Sequence, residues 1–452
     1  MDILNKRQPI LLFLGDVAVL IISLWVTLGI RFREWPSYEL FSIHFLPFLI
    51  LSLIWTVSFF IAGLYETHRV IIRNRLPEVI IKTQIANSII AITYFYFIPS
   101  FGISPKVTLT IYIIVSLVLI VAWRILSLYI FVSKQKSEAL LLGKGSEAEE
   151  LYVEVNRIAR HNFKFVSRAD PDSLSSTDFQ KELMREIEDK DIEIIVLDSS
   201  NEHIKPFLQN FYSLIFSKVQ FIDFHKLYGE VFYKMPIDLL TYRWFIQNIS
   251  ATNHALYDML KRAMDIVISI PAAIIFAPFI LAGAIALKIQ DGGEIFSIQN
   301  RVGQFGKNVR LIKLRTMLFN DDGKWKEEGK FNEVTRVGAF LRKTRIDELP
   351  QIINVLKGDV SLIGPRPEFP LAVNEYTEAV PYYNARHIIK PGLSGWAQIY
   401  HDEHPHHDDP EKVRKTKDKL SFDLYYIKNR SIVLDIMIAL KTIKTFISRE
   451  GR

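Results

Sequence analysis

Asp347 and Glu348 stand side by side in RIDELPQIINVLKGDVSLIGPRP (345–367), two carboxylates just ahead of a proline and a short apolar run. Pro350 suits the first turn of a helix, where its missing amide proton would find no partner anyway, and Gly358 suits the residue just past the end. The pair therefore sits at the entrance of a helix that runs to Lys357, where backbone amides and the positive helix end stabilise anions. By itself the stretch is equally an acidic helix cap. Its basic surroundings point further. Arg301, Lys313 and Arg315 occur in QNRVGQFGKNVRLIKLRTM, Arg342 precedes the pair, and Arg366 lies between Pro365 and Pro367 in a stiff GPRP loop. A guanidinium fork matches phosphate oxygens two at a time, so arginines around two carboxylates point to a diphosphate with a divalent cation. Magnesium, Mg2+, is the expected ion, with Asp347 and Glu348 as ligands, because it is typically held by one or two carboxylates together with substrate phosphates. One carboxylate could then attack phosphorus, as aspartate does in enzymes that form aspartyl phosphates. Each arginine taken singly has a plainer reading, a surface salt bridge.

These residues need elements to carry them. The chain has 452 residues, of which 49% are hydrophobic and 23% charged, so apolar residues must be concentrated in segments. Four runs, 10–30, 45–64, 85–101 and 107–132, each approach the length that crosses a bilayer. Lys6, Arg7, Arg69, Arg73, Arg75, Lys82, Lys134 and Lys136 flank one side of these runs. Only Arg31, Arg33 and Lys106 flank the other, which places both ends of a four-helix transmembrane bundle (1–136) in the cytoplasm. There is no cysteine, which excludes thiol nucleophiles, cysteine-bound metals and disulfides. The net charge of +6 is compatible with positive-inside flanks or with anionic ligands, and no nucleic-acid-binding motif occurs.

Over 137–225 apolar runs (ALLL, FKFV, IEIIVL, KVQFI) alternate with helix-like segments such as 147–159 and 203–216, the pattern of a Rossmann-like α/β domain with a parallel sheet. Gly143-Lys144-Gly145 supplies only the opening of a dinucleotide fingerprint, so this domain is read as packing or regulatory. Residues 226–256 read as a connector. A fifth apolar segment, 266–289, follows the basic stretch YDMLKRAMD and contains Pro271 and Pro278, which favour a kink or reversal over a straight crossing. The segment 432–447, interrupted by Asp435, Lys441 and Lys444, reads as an amphipathic helix on the membrane or on the domain core.

KRAMDIVIS, IFSIQNRVG, KLRTM, the DELPQIINVLKGDVSLIGPRP block, KPGLSGWAQ and FDLYYIKNRS follow one another in 257–452. Together they resemble the mainly α catalytic domain of the monotopic phosphoglycosyl transferases, the bacterial sugar transferase family, and the preceding segments resemble its long form. The resemblance implies transfer of a sugar 1-phosphate from a UDP-sugar to undecaprenyl phosphate, releasing UMP and initiating a surface glycan such as exopolysaccharide, capsule or O-antigen. It matches Asp347 to the family's nucleophile and Glu348 to its neighbouring acid, with Mg2+ between the carboxylates and the diphosphate. Arg342 and Arg366 match arginines of the phosphate site, and Lys313 and Arg315 the basic motif ahead of it. It further implies a helix at 266–289 that dips into one leaflet and returns, a catalytic domain on the cytoplasmic face of the bacterial inner membrane, and contact with membrane lipid. Where the family often has Ser-Pro at the helix break, this chain has Ala277-Pro278. The long-form architecture points to glucose or galactose, and a homo-oligomer is compatible with the sequence.

Two rival classes remain. Tyr257 and Lys261 have the YxxxK spacing of membrane-bound nucleotide-sugar dehydratases, and a non-catalytic scaffold for glycan assembly would share the membrane segments. HDEHPHHDD (401–409) has metal-ligating residues, including His404 and His407, but its proline and dense charge read as a polar loop, with a border of the sugar pocket as the sharper alternative.

Overall fold

The apolar runs near the start of the chain form four long helices, α1 (Arg7–Phe32), α2 (Tyr38–Ile61), α3 (Val70–Phe97) and α4 (Pro105–Ile130). The computed structural model describes residues 7–65, 70–97, 105–130, 136–157, 163–175, 177–199, 201–207, 211–212, 216, 219–250, 255–318, 333–400 and 411–448. They divide into two units, Met1–Val231 and Phe232–Arg452. Each of the four helices contains a stretch long and apolar enough to cross a bilayer. α1 packs on α2 and α4, and α3 packs on the same two helices. Leu24, Leu51, Trp55, Phe59 and Tyr112 fill their shared core. Inside it Arg124 of α4 pairs with Asp16 of α1 and donates to the Leu64 carbonyl at 2.7 Å, while Tyr65 Oη donates to Asp16 at 2.7 Å. Charged groups at such depth persist only when paired like this.

The four apolar runs of the α/β segment are its four strands, β1 (Ser137–Leu142), β2 (Phe163–Ala169), β3 (Ile192–Leu197) and β4 (Gln220–Asp223). All are parallel, in the order β2-β1-β3-β4. α5 (Ser146–Arg157) and α6 (Thr177–Asp189) make the crossovers, and α7 (Phe224–Phe232) follows β4. The first turn is tight: a Cβ on Gly143 would lie 2.9 Å from that of Ala148, and Gly145 has φ +87°. Lys144 in that turn is paired with Asp172. Of the helix expected over 203–216, the described residues include a 3-10 turn, Lys205–Phe207, and helical residues at 211–212.

The second unit is built on a core containing Val380, Trp396, Leu424, Tyr426 and Ile438. Met235, Ile237, Leu240 and Trp244, from the stretch read as a connector, are buried in the same core, with Trp244 on the one-turn helix α8 (Tyr242–Phe245). The long helix α9 (Ala255–Asp291) is helical throughout, with Pro271 and Pro278 inside it. β5 (Phe296–Val302) and β6 (Asn308–Leu314) form an antiparallel hairpin. α10 (Arg336–Thr344), a 3-10 turn (Ile346–Gln351) and α11 (Ile352–Lys357) follow. β7 (Ser361–Ile363) pairs in parallel with β8 (Gly392–Ser394), with α12 (Pro370–Ala379) between them in the chain. α13 (Trp396–Tyr400), α14 (Lys412–Asn429) and α15 (Ile432–Ser448) close the unit. α15, the helix expected near the end of the chain, packs on the core through Leu434 and Ile438 with Asp435 buried beside them, whereas Val433 is 73% exposed.

α9 stitches this unit together at both of its ends. Near its start, Arg262 donates to the carbonyls of Val355 and Leu356 at 2.6 and 2.7 Å, capping the end of α11, and Asp265 accepts from Ser361 Oγ and the Leu362 amide at 3.0 and 3.1 Å. Near its finish, Leu287 packs on Leu314 and Leu341, and Gln290 Oε1 accepts from the Val337 amide in the first turn of α10 at 2.9 Å. The middle is bare and apolar, with Ile274 and Leu281 among its exposed residues.

α10 leaves no room at Gly338, where an added Cβ would lie 2.0 Å from the Thr316 carbonyl oxygen. Backbone on both sides must then move. Gly338→Ala is expected to lower the melting temperature of the detergent-solubilised protein by the equivalent of about 1–3 kcal/mol, the usual cost of overpacking; an unchanged melting temperature would contradict this packing.

Candidate active site

The acid pair is carried by a segment with little freedom. Thr335 caps α10 by accepting from the Gly338 amide at 2.9 Å, and α10 stops at Arg345, a non-glycine residue at φ 58°. That left-handed residue turns the chain into the 3-10 turn bearing Asp347 and Glu348. Ile346 anchors the turn against Leu287, Leu314 and Leu341. Pro350 sits inside this turn rather than at the first position of α11, so the helical entrance lies several residues earlier than Pro350 alone suggests. Gly358, at φ 88°, ends α11 as its position in the sequence predicts.

Asn354 then fixes the register between acids and bases. Its side chain donates to the Arg310 carbonyl at 2.7 Å and accepts from the Ile312 amide at 3.1 Å, completing the free edge of β6 as another strand would. On the hairpin, Ser297 lies opposite Lys313 and Arg301 opposite Val309, and strand alternation puts Ser297, Gln299, Arg301 and Lys313 on one face. A cavity of about 480 Å³ is lined by Ser297, Gln299, Arg301, Lys313, Leu314, Arg315, Thr316, Met317, Arg342, Lys343, Arg345, Asp347 and Glu348.

Six of the seven residues singled out from sequence thus share one cavity: Arg301, Lys313, Arg315, Arg342, Asp347 and Glu348. Arg366 is not among its lining, but its guanidinium reaches Glu348 Oε1 at 3.2 Å. Lys313 Nζ meets the same oxygen at 2.8 Å, and Arg345 lies 3.9 Å from Oε2. Burial pushes the Glu348 carboxyl up, but Arg366 and Lys313 outweigh it and hold the group well below the usual carboxylate range. Burial lowers the Lys313 ammonium, against the pull of Glu348. Asp347 is the opposite case. It is buried, its Oδ1 has no hydrogen-bond partner among the described residues, and burial, with Glu348 beside it, raises its pKa above the ordinary aspartate value. A buried anionic oxygen without a donor fits a reacting atom or a metal ligand, whereas Glu348 Oε1 already has two cations.

Arg315 lines the cavity with its guanidinium already engaged. Nε donates to the Glu294 carbonyl at 2.6 Å, Nη1 to Leu318 at 3.2 Å, and Nη2 lies 2.5 Å from Asp291, so it braces the exit of α9 at the cavity wall. Arg342 Nε donates to Thr316 Oγ1 at 2.9 Å, and Arg301 stacks 3.3 Å from the centre of the Phe369 ring. Lys343 and Arg345 escaped the sequence analysis although both flank the acid pair; RKTRIDEL holds three basic residues within one turn and a half of it, which is the signal that was available.

Other candidates separate from this site. Tyr257 and Lys261, the dehydratase-like pair, both bond Asp435 Oδ2 at 2.9 Å and stand at the start of α9, not in the α/β sheet. The histidine-rich 401–409 stretch lies outside the described residues. Asp198, Asp223 and His225 gather within 4.8 Å at the strand ends of the α/β sheet, where Asp223 already accepts from the Lys226 amide at 2.8 Å.

Because Glu348 has its pKa depressed by folding, the stability it supplies is complete above the ordinary carboxylate range and is lost as pH falls through its lowered folded value. Glu348→Gln leaves Lys313 and Arg366 facing one another, at a cost of about 3–5 kcal/mol if the pair behaves as a buried one. The gap in melting temperature between wild type and Glu348→Gln should be full at pH 7 and narrow only in acid below the ordinary carboxylate range; a gap that grows on acidification would contradict this electrostatic arrangement.

Residues 256–449 match the bacterial sugar transferase family. The chain is 43% identical over 199 residues to the UDP-N-acetylgalactosamine-undecaprenyl-phosphate N-acetylgalactosaminephosphotransferase of Aeromonas hydrophila, covering 43% of this chain and 45% of that one. It is 36% identical over 194 residues to the UDP-glucose:undecaprenyl-phosphate glucose-1-phosphate transferase of Escherichia coli (strain K12), covering 42% and 41%. These matches span less than half the length of either relative. Against the exopolysaccharide production protein PSS of Rhizobium leguminosarum bv. phaseoli, identity is 37% over 197 residues, 42% of this chain but 96% of the relative. With 96% of that relative covered at 37% identity and residues 256–449 matching the family, this chain belongs to the bacterial sugar transferase family.

Proposed function

We propose that this protein transfers a sugar 1-phosphate from a UDP-sugar to undecaprenyl phosphate at the cytoplasmic face of the bacterial inner membrane, releasing UMP and starting a surface polysaccharide. The observation that carries the reading is Asp347 Oδ1, buried and without a hydrogen-bond partner among the described residues, in a cavity that six cations line. Two carboxylates among so many cations suit a ligand that brings several negative charges of its own, as a diphosphate does.

In the first step Asp347 attacks the phosphorus that bears the sugar. A bond forms from the carboxylate to phosphorus while the bond from that phosphorus to the UMP oxygen breaks, and UMP departs with the electron pair. In the second, an oxygen of undecaprenyl phosphate attacks the same phosphorus and the Asp347 carboxylate leaves. Burial suits Asp347 to this, since an anion stripped of donors is the more basic and the more nucleophilic. Glu348 stays ionised and holds Lys313 and Arg366 beside the reacting groups. Arg301, Arg342, Lys343 and Arg345 neutralise charge on the phosphoryl oxygens, which is most of what this chemistry requires. Asp347 Oδ1 would hold magnesium, with Glu348 as a further ligand if it releases one of its cations; when bound, the ion supplies charge neutralisation at the diphosphate.

The same reading has α1 to α4 cross the membrane as a bundle while α9 enters one leaflet and turns back. A straight helix would separate residues 262 and 290 by about 42 Å at 1.5 Å per residue, yet both are tied to the segment 337–356 of one unit. Pro271 and Pro278 are seven residues apart, so both missing donors fall on one face and their bends add.

Intact-protein mass spectrometry of the detergent-purified enzyme with magnesium and UDP-glucose, UDP-galactose, UDP-N-acetylglucosamine or UDP-N-acetylgalactosamine tests the reading. A phosphosugar adduct is expected on wild type with one of these donors and on Asp347→Asn with none; Asp347→Asn releasing UMP at the wild-type rate would end the assignment. Arg366→Ala should reduce kcat/KM for the donor by the equivalent of about 2–5 kcal/mol, the loss of a desolvated charge contact; wild-type kinetics would place Arg366 outside the reaction.

A further inference from the structure

Arg386 belongs to no residue set discussed so far, yet it lies under the loop that presents Arg366. It is almost wholly buried. Nη1 donates to Tyr383 Oη at 2.6 Å, and Nη2 lies 2.8 Å from Asp423 Oδ2 and donates to the main-chain carbonyl of Arg366 at 3.0 Å. Glu368, two residues along the loop, lies 4.0 Å from Nη1 and pairs with Lys419. Arg386 and Lys419 thus face Glu368 and Asp423, two charges of each sign closed on themselves beneath the loop.

The flanks of the loop are already pinned by backbone. The Gly392 amide donates to Pro365 and the Val302 amide to Glu368, at 3.0 and 2.9 Å. Between those points the Arg386 side chain is the one that holds the Arg366 carbonyl among the described residues, and from this peptide the Arg366 side chain departs toward Glu348. We propose that Arg386 is a positioning residue: its fork, locked by Tyr383 and Asp423, fixes the Arg366 carbonyl and thereby aims the Arg366 guanidinium at the phosphoryl site. This rests on the functional reading above, in which Arg366 contacts the transferred phosphate. Lysine cannot replace the fork, since one ammonium cannot reach a hydroxyl, a carboxylate and a carbonyl in the directions a planar guanidinium does.

A double-mutant cycle tests the proposal with the full-length, detergent-purified protein, magnesium and undecaprenyl phosphate, using whichever of the four UDP-sugars wild type accepts. Arg386→Lys keeps the buried charge and is expected to lower kcat/KM for the donor by roughly 10- to 100-fold, the worth of one charge-assisted hydrogen bond. In an Arg366→Ala background the same substitution should cost no more than about twofold further, because its effect passes through Arg366. Multiplying losses, or wild-type kcat/KM in Arg386→Lys, would overturn the proposal, and a role in stability alone would give the multiplying pattern. Should Arg386→Lys not fold, Tyr383→Phe removes the hydroxyl that locks Nη1 without altering charge; a smaller loss, absent in the Arg366→Ala background, supports the proposal, and a loss that persists there overturns it. If wild type releases no UMP with any donor, the functional reading falls by itself, and the cycle is then read as the dissociation constant of UDP: coupling between the two arginines sustains the positioning role, and independent effects or no binding of UDP end it.

Discussion

Lys313 and Arg366 reach the same oxygen of Glu348 from two different parts of the chain, and most of the second unit works to keep that meeting in place. Three charges brought together out of bulk water are stable only if each has its partner, and removal of any one strands the others. The strand edge completed by Asn354 sets where Lys313 can be. The proline-flanked loop and its anchors set where Arg366 can be. With Glu348 so engaged, Asp347 carries a buried carboxylate oxygen that has no hydrogen-bond partner among the described residues. Two adjacent acids of nearly identical chemistry are driven apart by their surroundings, one held ionised by cations and the other made more basic by burial.

α9 supplies the outer frame of this arrangement. Its first turns satisfy carbonyls of the last turn of α11, and its last turns satisfy an amide of the first turn of α10, so the two helices that bracket the acid pair are capped by opposite ends of one element. A change in the path of α9 between those ends would alter the spacing of α10 and α11 directly. The exposed apolar middle of α9 and the geometry of the acids are therefore mechanically continuous.

Hydropathy and periodicity made much of this legible. The four long helices and the four parallel strands overlap their apolar runs, since both signals depend on local composition and spacing, which a sequence displays openly, though α3 starts at Val70, fifteen residues before its run at 85–101. The cavity was legible because its residues are charged and come in recognisable blocks. What escaped was of another kind. Asn354, Asp265 and Arg262 act by hydrogen bonds to backbone far along the chain, and no local pattern marks which polar residue of a helix will do so. Arg315 looked like the other basic residues, and only the position of Asp291 and two carbonyls separates its bracing role from theirs. The stretch read as a connector sends Met235 and Trp244 into the core because its aromatic content, not its irregular pattern, decided its fate.

The middle of α9 leaves Ile274, Ile275, Phe279 and Leu281 exposed on one slender element. Such a surface is at rest in hydrocarbon, which fixes the depth and orientation of everything attached to it. A reactant dissolved in the bilayer then finds this unit by lateral diffusion, and what governs the encounter is its number per unit area of membrane. A reactant dissolved in water still arrives from a volume. The two partners of a reaction performed here would answer to different measures of concentration, one set by the composition of the lipid and the other by the composition of the aqueous phase, so that enlarging the membrane while the amount of the bilayer-dissolved reactant stays fixed would slow one encounter and leave the other untouched.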